Sequence, residues 1–232
     1  ERALVAQPDS VVALNFKGEI LLMQKRYGEP ETVLRAVLAK NPQMTVAYRS
    51  LAMARLAQND RAGAQKVFEE GIEKTKQNPA LVFGLAEFYE SSGEHDKAIA
   101  QYEPMLDNAS AGDTAANNLA MLLATYKQDA PSLERAAQLA ERFKDSENPA
   151  YLDTLGWIHY KRGDITAALP LLERANQRAP NEALLRYHLG MIQYKKGDTA
   201  AARVQLEQAL SAKRNFTGAD EARATLQKIT GT

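Results

Sequence analysis

Residues 155–164 read LGWIHYKRGD, and residues 189–198 read LGMIQYKKGD. The two stretches align without a gap at an offset of 34 residues, and the offset continues from Ala168 to Ala202 and from Leu172 to Leu206. Self-similarity at a fixed period of this length is typical of an array of small structural repeats. The fold of the chain therefore follows from the local structure that one such repeat forms.

Each repeat has the pattern of two helices joined by a short turn. Leu152 and Leu155 are spaced to share one face of a first helix. Gly163 is typical of a helix end, and Asp164 is a favourable N-cap for a second helix. Pro180 ends the repeat, because proline cannot continue a helix. The pattern thus predicts paired helices throughout the chain.

Small residues recur where the two helices of a repeat should approach closely. Gly156 and Gly190 occupy one such place in the first helix, and Ala168 and Ala202 occupy another in the second. A larger side chain at these places would separate the helices, and overpacking of this kind typically costs about 1–3 kcal/mol.

The composition excludes several classes of protein. Lys and Arg together number 29, as do Asp and Glu, so the chain has no basic excess of the kind that favours nucleic acids. Without cysteine it can form neither disulfides nor thiolate metal sites. No apolar stretch approaches the roughly 20 residues that span a bilayer. We therefore expect neither nucleic-acid binding nor membrane insertion by this segment.

The order Leu-Gly/Ala, Tyr, Gly, Ala, Tyr/Phe/Leu, Ala, Pro at these spacings resembles the tetratricopeptide repeat. The resemblance implies an all-α fold, a right-handed superhelical α-solenoid of helix-turn-helix repeats, with thirteen or fourteen helices and no sheet. A single solenoid over 1–232 is predicted to divide into the tail of an upstream repeat, 1–10; six repeats, 11–44, 45–78, 79–112, 113–148, 149–182 and 183–216; and a C-terminal capping helix, 217–230.

The resemblance also implies where a partner would bind, because the first helix of each repeat lines the concave surface in this family. The predicted partner-binding groove consists of Asn15, Glu19, Arg49, Met53, Phe83, Glu87, Asn117, Asn118, Met121, Asp153, Trp157, Tyr160, Tyr187, His188, Met191 and Tyr194. Trp157 is the only tryptophan, and Met121 and Met191 hold the same place in their repeats. We expect Trp157 to be an exposed anchor for the partner, since aromatic residues and methionine are favoured in interfaces.

The expected partner is a protein or peptide bound in the groove. Some family members hold a C-terminal carboxylate with Lys at the fifth place of a repeat and Asn at the ninth, and this chain does not carry that combination. A polysaccharide is the alternative ligand, with Trp157, Tyr160, Tyr187 and Tyr194 stacking on sugar rings.

No catalytic constellation is present in the sequence. It contains no phosphate-binding glycine motif and no His/Cys/Asp/Glu cluster with metal-ligand spacing. His95, His159 and His188 fall in different repeats, and none has an identifiable partner for acid–base work. We therefore predict a non-catalytic protein that needs neither a cofactor nor a metal.

Two stretches are more specific than the general repeat pattern. Residues 117–120 (NNLA) with 136–141, and residues 152–157 (LDTLGW) with 186–189 (RYHL), resemble the C-terminal repeats of bacterial tetratricopeptide lipoproteins from exosortase (PEP-CTERM) and exopolysaccharide systems. This resemblance implies a periplasmic scaffold, lipid-anchored through a preceding N-terminal segment with further repeats. The alternatives are a cytoplasmic location and the targeting module of a larger enzyme such as a glycosyltransferase.

Overall fold

The computed structural model describes residues 10–212 and 216–231. Within these ranges the regular structure is entirely helical, so the predicted all-α class is confirmed. The described α-helices are α1 (Val11–Met23), α2 (Glu29–Lys40), α3 (Thr45–Ala57), α4 (Arg61–Lys74), α5 (Pro79–Ser91), α6 (His95–Tyr102), α7 (Gly112–Leu122), α8 (Ala130–Ala140), α9 (Pro149–Lys161), α10 (Ile165–Arg178), α11 (Ala183–Lys196), α12 (Thr199–Ser211) and α13 (Ala219–Thr230). Short helical turns extend α6 (Glu103–Met105), α7 (Leu123–Lys127) and α8 (Glu141–Phe143).

The described residues form two compact halves, one ending at Ala115 and the other beginning at Ala116, within α7. In the N-terminal half, α1 packs on α2, α3 on α4 and α5 on α6. In the C-terminal half, α9 packs on α10 and α11 on α12, while α13 packs on both α11 and α12. Each of these pairs corresponds to one predicted repeat.

Helix starts follow the 34-residue period closely. Helices α1, α3, α5, α9 and α11 begin at the first residues of the predicted repeats, which are Val11, Thr45, Pro79, Pro149 and Ala183. Helix α7 begins one residue early, at Gly112. Of the predicted upstream tail, residues 1–9 lie outside the described residues, and Ser10 is the N-cap of α1. The predicted capping helix corresponds to α13.

The turns within repeats form as their sequence indicates. Gly163 and Gly197 have φ angles of 84° and 94°, in the left-handed region that glycine adopts without strain. The side chains of Asp164 and Asp198 then accept hydrogen bonds from the backbone N–H groups three residues later, at 3.0 and 3.1 Å. These bonds satisfy donors that a helix N-terminus would otherwise leave unpaired.

The fourth repeat accommodates its two extra residues at the end of its first helix. Leu123–Lys127 forms a π-helical turn, and Gln128 follows with a φ angle of 54°. A π turn absorbs an inserted residue without ending the helix. Ala136 is fully buried in α8 and supplies the small residue that the strict offset would place at Ser132.

Glycines on α9 and α11 allow the paired helices to approach. A Cβ atom added to Gly156 would lie 2.8 Å from Leu172 Cδ2, and one added to Gly190 would lie 2.8 Å from Leu206 Cδ2. Both leucines are completely buried. The glycines therefore accommodate the leucines of the second helix, as the sequence predicts.

Candidate ligand-binding cleft

An open cleft of about 470 Å³ lies among α3, α4 and α5, within the N-terminal half. We call it the α3–α5 cleft. It is lined by Arg49, Met53, Leu56, Phe68, Ala80, Phe83, Gly84, Glu87, Phe88 and Ser91. Four of the predicted groove residues are thus brought together here: Arg49, Met53, Phe83 and Glu87.

The floor of the cleft is apolar, and the ring of Phe68 packs directly against Gly84. A Cβ atom at this position would lie 2.8 Å from Phe68 Cε1, and Phe68 is itself 5% exposed. Phe83, beside Gly84 on α5, is half-buried and packs against Tyr102 with ring centroids 5.8 Å apart. Phe68 therefore occupies the place that a side chain at position 84 would need, and its ring forms part of the apolar lining of the cleft.

The rim of the cleft combines an exposed apolar side chain with two charges. Met53 on α3 is 60% exposed, which is high for a large apolar residue. Arg49 and Glu87 are also exposed, and neither makes a hydrogen bond or ion pair with any residue in the described ranges. Both charges are consequently available to a ligand.

Asn15 and Glu19, also predicted for the groove, lie on α1 and do not line this cleft. Asn15 is buried, and its Nδ2 donates a hydrogen bond to Glu19 Oε1 at 2.9 Å. The bond joins two residues one turn apart on α1, and Asn15 Oδ1 is buried without a hydrogen-bond partner among the described residues.

The C-terminal half places five of its ten predicted groove residues in the interior. Trp157 is 3% exposed, and the buried set also contains Asp153, Tyr187, His188 and Met191. The expectation of an exposed tryptophan anchor is therefore wrong. Among the remaining predicted residues, a half-buried group consists of Asn117, Asn118, Met121, Tyr160 and Tyr194.

Aromatic stacking accounts for the burial of Trp157. Its ring lies 3.9 Å from that of His188, with an interplanar angle of 18°, and 4.8 Å from that of Tyr160, with an angle of 19°. The Lys161 ammonium group lies 4.9 Å from the indole centroid. Neighbouring side chains of the same chain thus make the contacts with Trp157 that we expected a partner to make.

Helix α13 and Phe216 cover the same cluster. Tyr187 Oη donates a hydrogen bond to Glu221 at 2.6 Å, and the Phe216 ring lies 5.6 Å from the Tyr187 ring. Burial raises the pKa of Tyr187 strongly, and the bond to Glu221 raises it further. Leu226 and Ile229 also pack against the cluster. The cluster around Trp157 and Tyr187 is therefore part of the hydrophobic core, and the last helix completes that core.

His188 has a partner that the sequence did not reveal. Its Nδ1 lies 2.9 Å from Asp153 Oδ1 and 2.8 Å from Oδ2, and both side chains are 3% exposed. An ionised carboxylate only accepts hydrogen bonds, so the imidazole Nδ1–H is the donor. The spacing of 35 residues brings the pair together from successive repeats, α9 and α11.

Residues 55–123 and residues 154–220 match family models described as tetratricopeptide repeat, and together they make up more than half of the chain. The chain belongs to the tetratricopeptide-repeat family. No curated protein sequence matches it.

Solved structures of tetratricopeptide-repeat proteins have the same fold. The Cut9–Hcn1 structure matches with 15% identity and a TM-score of 0.66, covering 98% of this chain and 44% of that one. The type IV pilus biogenesis factor PilW matches with 13% identity and a TM-score of 0.66, covering 95% and 98%. YrrB, described as having an unusual peptide-binding site, matches with 15% identity and a TM-score of 0.52, covering 84% and 96%. At these identities the likeness shows the fold alone.

The tetratricopeptide pattern explains which cleft residues sequence reasoning missed. Phe68 holds the Tyr/Phe/Leu place of the second helix, and the repeat pattern places neither it nor Phe88 in a cleft. Gly84 was the available signal, because a glycine inside the first helix, outside the usual small-residue place, allows a large side chain such as that of Phe68 to pack close to the helix.

The described residues contain no three His, Cys, Asp or Glu side chains that could hold a metal ion together. None of the helices in 10–212 and 216–231 is long and apolar enough to cross a bilayer.

Proposed function

We propose that this chain is a non-catalytic interaction scaffold that binds an extended segment of a protein partner in the α3–α5 cleft. Tetratricopeptide repeats act as protein-interaction scaffolds, and they bind protein or peptide partners. The observation that carries the proposal is the exposed Met53 beside a half-buried Phe83, in a cleft that Leu56, Phe68 and Phe88 also line.

The chemistry of the cleft favours a polypeptide over a sugar polymer. Methionine adapts its shape to different apolar side chains, and apolar side chains lining a concave site are typical of ligand pockets. Stacking on sugars was expected to use Trp157, whose indole is 3% exposed and already stacked on His188. An indole in that environment has no free face for a sugar ring.

We further propose that the scaffold serves a bacterial cell-envelope assembly, with exopolysaccharide or exosortase-linked systems as the specific setting and the periplasm as the location. The support is the resemblance of residues 117–120, 152–157 and 186–189 to the lipoproteins of those systems. The cleft lies within residues 49–91, so it would act in the same way in the targeting module of a larger enzyme.

The experiment is a selection of random peptides displayed on phage against the purified chain, followed by titration of the selected peptides. Met53→Asp should weaken binding at least about thirtyfold, because an apolar hot spot typically contributes roughly 2 kcal/mol or more. Val204→Asp is the matched control, since Val204 is 48% exposed on α12, outside the cleft. Equal binding by parent, Met53→Asp and Val204→Asp would refute the proposed site.

A further inference from the structure

We infer that the α3–α5 cleft selects an internal segment with an apolar anchor residue flanked on one side by an acidic residue and on the other by a basic residue. This inference rests on the proposed function and specifies its ligand. It follows from the shape of the floor, from the two rim charges and from their separation onto different helices.

The apolar floor of the cleft determines that the anchor residue is apolar. Phe68 lies directly beneath the position of Gly84, and Leu56 and Phe83 add apolar surface at the sides. A leucine, methionine or phenylalanine side chain entering this space would remove Phe83 and Met53 from water, and burial of apolar surface is favourable. A polar anchor would lose its hydration without gaining a partner on this floor.

Arg49 accounts for the acidic residue on one side of the ligand's anchor. This side chain is exposed on α3 and has no carboxylate partner among the described residues. The planar guanidinium group presents paired donors that match a carboxylate in bidentate geometry. A ligand carboxylate would therefore find an unoccupied cation at the α3 side of the cleft.

Glu87 accounts for the basic residue on the other side of the ligand's anchor. This carboxylate lies on α5, where it acts electrostatically on another acid, Glu90. Burial raises the pKa of Glu90, a hydrogen bond from Tyr102 lowers it, and the Glu87 carboxylate raises it again. A ligand ammonium or guanidinium group beside Glu87 would offset this repulsion between like charges.

Complementary charges at an interface contribute mainly to the selection of partners. Arg49 and Glu87 belong to successive repeats, on α3 and α5, and for this reason the proposed ligand carries its acid and its base on opposite sides of the anchor. A segment with the same charge on both sides would meet one repulsive contact whichever direction it runs. The charge requirement is therefore independent of the chain direction of the ligand.

The test uses amidated peptides that share one leucine anchor and differ in its flanks, at varied spacing: Asp and Lys, Asp and Asp, Lys and Lys, or Ser and Ser. The parent should bind the mixed peptide about tenfold more tightly than either like-charged peptide. Arg49→Glu should change the preference to the Lys–Lys peptide, and Glu87→Arg should change it to the Asp–Asp peptide. The same mixed peptide with a free C-terminal carboxylate should bind no more tightly.

Arg203→Glu is the matched control, because Arg203 is an exposed cation on α12 and its loss leaves the cleft intact. The preferences should also fade as ionic strength rises from about 0.1 M to about 1 M, where the Debye length falls from about 10 Å to about 3 Å.

The outcomes separate this inference from the proposed function. Binding that is abolished by Met53→Asp but equal for all four peptides would overturn the charge requirement and leave the cleft as the site. Tighter binding of the peptide with a free C-terminal carboxylate would overturn the internal segment as the ligand. It would indicate that the cleft captures a chain terminus instead. If Met53→Asp has no effect on any peptide that binds, the proposed function itself fails.

Discussion

The imidazole of His188 is hydrogen-bonded to the carboxylate of Asp153, with Nδ1 at 2.9 and 2.8 Å from the two oxygens. The bond joins the first helices of two successive repeats, α9 and α11, inside the C-terminal half. Because both side chains are 3% exposed, removing one leaves the other buried without its partner. We therefore expect Asp153→Leu and His188→Leu each to lower the free energy of unfolding by about 3–5 kcal/mol.

The double variant should lose less than the two single losses added together, with a coupling energy above about 1 kcal/mol in a double-mutant cycle from denaturant unfolding. The exposed pair Arg203 and Glu207, at 2.8 Å on α12, is the control and should show a coupling energy of about 0.3–0.5 kcal/mol. Additive losses at Asp153 and His188 would mean that the bond does not stabilise the fold.

Trp157 should contribute to stability, not to partner binding. Its ring is 3% exposed and lies between stacked aromatic neighbours. Trp157→Ala should lower the free energy of unfolding by about 3–5 kcal/mol through the cavity that it leaves. Phe16→Ala removes an aromatic side chain that is 58% exposed on α1, and it should change stability by no more than about 0.5 kcal/mol. Thermal unfolding followed by circular dichroism measures both, and an unchanged midpoint for Trp157→Ala would contradict the buried position.

Gly156 should be intolerant of a larger residue. A Cβ atom there would lie 2.8 Å from Leu172 Cδ2 and 3.2 Å from Leu171 Cβ. Gly156→Leu should lower stability by at least about 1–3 kcal/mol through overpacking. Hydrogen exchange should show the loss of protection mainly in α9 and α10, since repeats contact chiefly their neighbours. Gly28→Ala is the control, because no atom lies within 4 Å of its added Cβ.

Glu90→Gln should stabilise the protein in a pH-dependent way. Burial raises the pKa of Glu90, a hydrogen bond from Tyr102 Oη at 2.7 Å lowers it, and Glu87 raises it. A carboxyl group whose pKa is raised on folding loses its stabilising contribution as pH rises through the folded pKa. The parent should therefore become less stable relative to Glu90→Gln as pH rises from about 3 to about 7, above the ordinary carboxyl pKa.

Urea unfolding of both proteins at several pH values tests this prediction. Glu73→Gln, at a position whose side chain is 78% exposed, is the control and should differ little from the parent throughout. A difference between Glu90→Gln and the parent that stays constant over this range would contradict the role of burial.

Much of the fold could be predicted from the sequence because each repeat carries local signals for where its helices end and begin. Gly163 and Asp164 specify a helix end and a helix start through backbone geometry and capping, which depend on local sequence alone. The late start of α2, at Glu29, likewise follows from Pro30, which lacks a backbone N–H and is tolerated only in the first turn.

The site was harder to predict because position in a repeat does not determine exposure. Met53 and Trp157 hold the same place in the second and fifth repeats, yet one is 60% exposed and the other 3%. The difference comes from side chains that no periodicity specifies. Tyr160 and His188 stack on the indole, whereas Met53 borders an open cleft.

The most direct measurement of the central claim uses the methionine methyl groups. The chain labelled with ¹³C at these methyls is titrated with a phage-selected peptide, and the six methionine signals are assigned by substitution. Binding in the α3–α5 cleft should shift the signal of Met53, on its rim, and leave that of Met191 unmoved, since Met191 is 4% exposed in the opposite half. A peptide that shifts Met191 while the Met53 signal stays in place would contradict the account.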